Sequence, residues 1–158
     1  YQETSLLQIL KREAGPGISL TYPVDKLQQT VPYNIDKVSF TLGGTSVKIK
    51  SSHENGKFRY KVKVKSTIAI TEKFLEFELQ DNFKNMGKKL SEEMKVAIEK
   101  LIKKFQQHEI DPVGFGFYAR AFQYPLYKEV QDQWGKELSR AQFDIEVDLR
   151  IAATGAVE

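Results

Sequence analysis

The chain of 158 residues holds few of the side chains that catalysis or metal binding requires. It has no cysteine, which excludes thiol nucleophiles, thiolate metal sites and disulfides. His53 and His108 are its two histidines, and neither has a Ser, Asp or second ligand at the spacing of a triad or a metal pair. His53 falls in a polar turn and His108 at a helix end, where a solvated side chain is expected. Asp144, Glu146 and Asp148 alternate on one face of a strand, a pattern that can bind a divalent cation. The simpler reading is a charged solvent face neutralised by lysines across the sheet. Gly114-Phe115-Gly116 lacks the third glycine and the preceding strand of a dinucleotide turn, so close helix–sheet contact explains it better. No catalytic, cofactor-binding or metal residue is assigned, and an enzyme is not expected.

Two other constellations could bind something. Between Lys37 and Lys73 nine Lys/Arg stand against two acids, a local charge of +7, whereas from Gln106 onward five stand against nine, a local charge of −4. The basic excess is densest at Lys57, Arg59, Lys61, Lys63 and Lys65, a row that could dock an acidic protein or anionic headgroups, with a plain solvated sheet face as the simpler reading. Nucleic-acid binders interleave exposed aromatics with such residues, but Phe58 and Tyr60 fall on the opposite face, so no nucleic-acid partner is expected. Phe117, Tyr118, Phe122, Tyr127 and Trp134 could line a small-ligand pocket, although an aromatic set at helical spacing is more often core.

The elements that position these residues are legible from periodicity. Thr4 to Glu13 reads as a short helix with Leu6, Leu7 and Leu10 on one face, stopped by Gly15-Pro16-Gly17. Ile18, Leu20 and Tyr22 alternate as a short strand, and Asp25 to Asn34 reads as a connecting loop. Val38, Phe40 and Leu42 are apolar at even positions, Val47 and Ile49 at odd ones, and Gly43-Gly44 between them predicts a bulge or kink. Asn55-Gly56 predicts a tight hairpin turn. The next strand, Lys57 to Thr71, is the clearest signal: Phe58, Tyr60, Val62, Val64, Ser66, Ile68 and Ile70 share one face.

Ser91 reads as the N-cap of a long amphipathic helix with a stripe of Met94, Ala97, Ile98, Leu101, Ile102 and Phe105. Asp111-Pro112 predicts a second helix, with Asp as cap and Pro at the first helical position. Tyr124-Pro125 predicts a third, reaching Trp134, and Phe143 to Ile151 alternates as a closing strand. Strands, then helices, then a strand predict an α+β domain: an antiparallel sheet of about four to five strands with helices on one face. If the closing strand lies beside Lys57–Lys65, its acidic row meets the basic row. With 41% hydrophobic and 28% charged residues the composition is that of one globular domain spanning residues 1–158. No run approaches the length of a membrane span, and a start at Tyr1 without Met reads as a processed protein or an excised domain.

The C-terminal half is more specific. A Lys/Glu helix from Glu92 through Gln106 leads into Asp111-Pro112-Val113-Gly114-Phe115-Gly116, then Tyr124-Pro125, Trp134, and an alternating strand ending at Thr154-Gly155. This series resembles the C subunits of bacterial spore germinant receptors, the GerAC-type germination lipoproteins. The Lys-rich strands from Val38 to Ile70 and the following Thr71-Glu72 agree with it. The likeness covers Asp36 to Gly155 firmly and Thr4 to Val24 loosely. Ile151-Ala152-Ala153 departs from it, lacking the basic residues common before the Thr-Gly. The resemblance implies the C-terminal domain of a longer lipoprotein whose lipidated cysteine and N-terminal domains lie outside this chain. It also implies a non-catalytic receptor part at the outer surface of the spore inner membrane, with A and B subunits as partners and no cofactor.

Overall fold

The alternation from Lys57 onward forms the spine of the domain. In the computed structural model of the chain, residues 2–23, 37–70 and 83–152 are described. The elements in chain order are α1 (Gln2–Leu10), β1 (Ser19–Pro23), β2 (Lys37–Glu54), β3 (Lys57–Ile70), α2 (Phe83–Gln107), α3 (Phe115–Phe122), α4 (Tyr124–Val130), a 3-10 turn (Gln131–Gln133), α5 (Trp134–Arg140) and β4 (Gln142–Ile151). Every second residue of β3 from Phe58 to Ile70 is buried, the row anticipated from its pattern. The loop expected at Asp25–Asn34, Thr71, Glu72, Thr154 and Gly155 lie outside the described residues.

The sheet order is β1-β2-β3-β4. β1 pairs antiparallel with β2 (Leu20 opposite Phe40, Tyr22 opposite Val38) and β2 antiparallel with β3. The β2–β3 turn is two residues long, Asn55 at φ 53° and Gly56 at φ 77°, the left-handed pair a tight hairpin needs. Between Leu42 and Thr45 the register shifts, so Gly43 and Gly44 together oppose one residue of β3. This bulge moves the apolar positions of β2 from even to odd numbers and keeps Val47 and Ile49 on the buried face. At Gly43 a Cβ would stand 2.7 Å from Thr67 Oγ1, which explains the glycine there.

β4 does lie beside β3, with Lys61 opposite Asp144, Lys63 opposite Glu146 and Lys65 opposite Asp148, but the pairing is parallel. The sheet is therefore mixed rather than wholly antiparallel. A strand–helices–strand order does not fix direction; that depends on which end of the sheet the crossover returns the chain to. α2 has 25 residues, a rise of about 37 Å, enough to carry the chain back along most of β3. Parallel neighbours need such a crossover.

α2 begins at Phe83, a full two turns before Ser91, so Ser91 is not its N-cap. Gly87 allows the helix to lie close to β4: a Cβ there would sit 2.9 Å from the Leu149 carbonyl oxygen. Ser91 is buried inside the helix, donating its hydroxyl hydrogen to the Gly87 carbonyl (2.7 Å) and accepting from the Leu149 N–H (2.9 Å). A helix hydroxyl thus stands where a further strand would bond this amide of the sheet edge. Met86, Leu90, Met94, Ile98, Leu101, Ile102 and Phe105 complete the buried stripe against the sheet. Ser91→Ala leaves the Leu149 amide buried without an acceptor. It is expected to lower unfolding free energy by about 1–3 kcal/mol and to speed hydrogen exchange at Leu149. Unchanged exchange there would show that the bridge does not hold the edge.

Candidate functional site

α2 stops where Glu109 takes a left-handed conformation (φ 52°), and the chain turns into Asp111. The first N–H groups of any helix lack partners within it. Here one side chain supplies them. Asp111 Oδ1 accepts from the N–H groups of Gly114 (3.0 Å) and Phe115 (2.8 Å), and Oδ2 from Gly116 N–H (2.8 Å) and Trp134 Nε1–H (2.9 Å). The negative charge also suits a helix N-terminus. Asp111 thus satisfies the helix start, but not from the N-cap position expected: Pro112 and Val113 lie in the turn, Gly114 is the N-cap and α3 begins only at Phe115. Gly114, at φ 89°, lets that turn point three N–H groups at a single carboxylate.

The fourth bond ties α3 to α5. Trp134 packs its ring 5.2 Å from Phe58 and 5.3 Å from Tyr127, and a Cβ on Gly116 would lie 2.9 Å from its Nε1. The helix expected to run from Tyr124 through Trp134 is broken by the 3-10 turn, which re-aims Trp134 at Asp111. The Tyr60 hydroxyl donates to the Phe115 carbonyl (2.8 Å), with Phe115 and Phe143 at 5.0 and 5.3 Å from its ring. Burial first, and then the Asp111 carboxylate, push the Tyr60 phenol far above its ordinary range, so it remains a donor. Ser51 and Gln123 exchange hydrogen bonds, the Gln123 side-chain N–H donating to the Ser51 carbonyl at 3.0 Å, which clamps the α3–α4 corner onto β2.

The five candidate pocket residues separate on this corner. Trp134 and Tyr127 meet at the core's edge and Tyr118 packs half-buried against it, whereas Phe117 and Phe122 are 74% and 70% exposed. Rings that exposed line no closed cavity. With Tyr124 and Leu126, also exposed, they make the helical corner apolar on its solvent side.

The basic row lies on the sheet face opposite the helices. Arg59 pairs with Glu54 (3.0 Å) and reaches Gln142 (2.9 Å); Lys63 pairs with Glu146 (3.4 Å); Lys57, Lys61 and Lys65 extend along the same face. Periodicity did not single out Lys48 and Lys50, yet the hairpin register sets them directly opposite Lys63 and Lys61. Counting back from the Asn55-Gly56 turn would have found them. Asp148 pairs with Arg150 (3.3 Å), and among the described residues no group of three or more His, Asp and Glu is placed to hold a metal ion. His53 packs its ring 4.8 Å from Phe58, and His108 is exposed beyond the end of α2.

Asp111→Asn replaces an acceptor with an amide donor that in either orientation faces two of the four N–H groups. The expected cost is about 2–4 kcal/mol, with a shift in the fluorescence of Trp134, the single tryptophan. A variant with wild-type stability and emission would show that the carboxylate does not organise the corner.

The family described as spore germination B3/GerAC like, C-terminal, matches residues 1–155. The structure titled "Crystal Structure of the GerBC protein" superposes with a TM-score of 0.68 at 20% identity, over 95% of this chain and 45% of that one. The likeness shows the same fold, and this chain spans less than half the length of GerBC. No curated protein matches the chain. A match over nearly every residue of this mixed sheet and its Asp111 corner places the chain in the GerAC-like family of spore germination proteins, as the family's C-terminal domain.

Proposed function

We propose that this domain is a non-catalytic part of a nutrient germinant receptor C subunit and acts through contacts with the receptor's A and B subunits. In the full-length protein it would stand at the outer surface of the spore inner membrane, held by a lipid anchor outside this chain. Membership of the GerAC-like family supports the receptor role. The observation that carries the contact reading is the solvent side of the α3–α4 corner: Phe117, Phe122, Tyr124 and Leu126 are large, apolar and exposed. Asp111, Tyr60 and Gln123 fix that corner to the sheet, so its aromatic groups are displayed on a rigid support. Interface energy concentrates in a few aromatic anchors, and a preorganised support lowers the ordering cost of binding.

The test substitutes Phe117, Phe122 and Tyr124 by serine in the full-length protein. None of the three is buried in the core, so folding should be retained. The expected outcome is a loss of about tenfold or more in co-purification with the A and B subunits, together with slower nutrient-triggered germination. Wild-type assembly and germination would sink this reading. A saturable change in Trp134 fluorescence on titration with nutrient germinants would instead favour a small-ligand domain.

A further inference from the structure

The face of the sheet opposite the helices carries a second surface, independent of the receptor reading. Its centre is a ladder of like charges: Lys48 opposite Lys63 and Lys50 opposite Lys61 as direct cross-strand partners. Like charges so placed destabilise a sheet. Glu146 relieves Lys63. Among the described residues, Lys48, Lys50, Lys61 and Lys65 have no carboxylate within ion-pair distance, and all four are exposed. Short polar Ser46, Ser52 and Thr67 flank them, Asp144 and Asp148 of β4 stand opposite Lys61 and Lys65, and no large apolar side chain is exposed on this face among the described residues.

We propose that the β2–β3 face docks the domain on a bilayer surface rich in anionic phospholipid headgroups. Protein interfaces are depleted of lysine at their centres and are built round aromatic or arginine anchors; no aromatic is exposed on this face among the described residues, and Arg59 is held by Glu54 and Gln142. Single-stranded nucleic-acid sites add aromatic stacking platforms, also missing here. A headgroup layer needs neither. It offers mobile negative charge that long lysines reach without a shaped pocket, and attraction accumulates per cation near the surface. The same layer relieves the Lys48–Lys63 and Lys50–Lys61 repulsion. Asp144, Glu146 and Asp148 lie on the adjacent strand directly opposite Lys61, Lys63 and Lys65, so the uncompensated positive charge is greatest toward β2, at Lys48 and Lys50.

Co-sedimentation of this chain with sucrose-loaded vesicles tests the proposal, using equal phosphatidylglycerol and phosphatidylcholine against phosphatidylcholine alone. The variant K48Q/K50Q/K61Q/K65Q is compared with K100Q/K103Q/K128Q/K136Q, which removes the same charge from exposed helical positions. Binding to the anionic vesicles only, lost at high salt and weakened about tenfold or more by the sheet variant alone, is the expected result. A circular-dichroism melt of the sheet variant at or above the wild-type temperature confirms that it folds. Equal losses in both variants would reduce the effect to net charge and overturn the proposal. So would no vesicle binding, or tighter binding to duplex DNA or an acidic polypeptide than to the anionic vesicles at the same salt.

Discussion

A strand whose side chains alternate cannot slip by one residue without turning its whole buried row into water, and β3 carries that constraint for this domain. Its seven inward residues from Phe58 to Ile70 are all buried, so its register is set by the burial of large apolar groups. β2 pairs along its length on one side and β4 on the other. Both neighbours inherit the register. β2 needs the Gly43-Gly44 bulge to stay in phase, and β4 arrives with Ile145 and Leu149 inward. The outward faces follow from the same alternation, which is why the lysines of β2 and β3 form a ladder instead of scattering.

On the inner face, polar contacts decide how the short helices sit. α4 and α5 have seven residues each and α3 eight, too short to be stable by propensity alone. Asp111 holds the start of α3 and the start of α5 with one carboxylate, and Gln106 donates to the carbonyls of Leu138 and Ala141 at 3.0 and 2.9 Å where α5 gives way to β4. Close backbone approach completes the arrangement, since a Cβ at Gly135 would overlap the Glu109 carbonyl. Rigidity in this corner has a consequence at the surface: Phe117, Phe122 and Tyr124 project from a support that is tied down at its base.

The two exposed surfaces differ in physical kind and lie on opposite sides of the sheet. The corner offers apolar area on a fixed scaffold, suited to a shaped partner. The lysine face offers flexible charge on a flat one, suited to a diffuse anionic layer. A domain of the GerAC-like family can use both at once, because neither surface overlaps the other.

Much of this was legible in the residue order, wherever the information was local. The β3 alternation, the Asn55-Gly56 turn, the Gly43-Gly44 bulge, the apolar stripe from Met94 to Phe105 and Asp111 at a helix start each depend on residues a few positions apart, and local sterics or periodicity settle them. The Asp111-Pro112 to Trp134 series carried the family resemblance as well. What depends on where distant segments meet was not legible. The parallel direction of β4 is set by the end of the sheet to which the helical crossover returns the chain. Ser91 looks like a cap in sequence because serine favours helix ends, but burial against Leu149 makes it an edge bridge. The aromatic set from Phe117 to Trp134 has one helical spacing yet divides between core and solvent, because the 3-10 turn redirects Trp134 to a carboxylate 23 residues earlier. Periodicity reports which side of its own element a residue occupies; only the packed tertiary structure decides what lies across from that side.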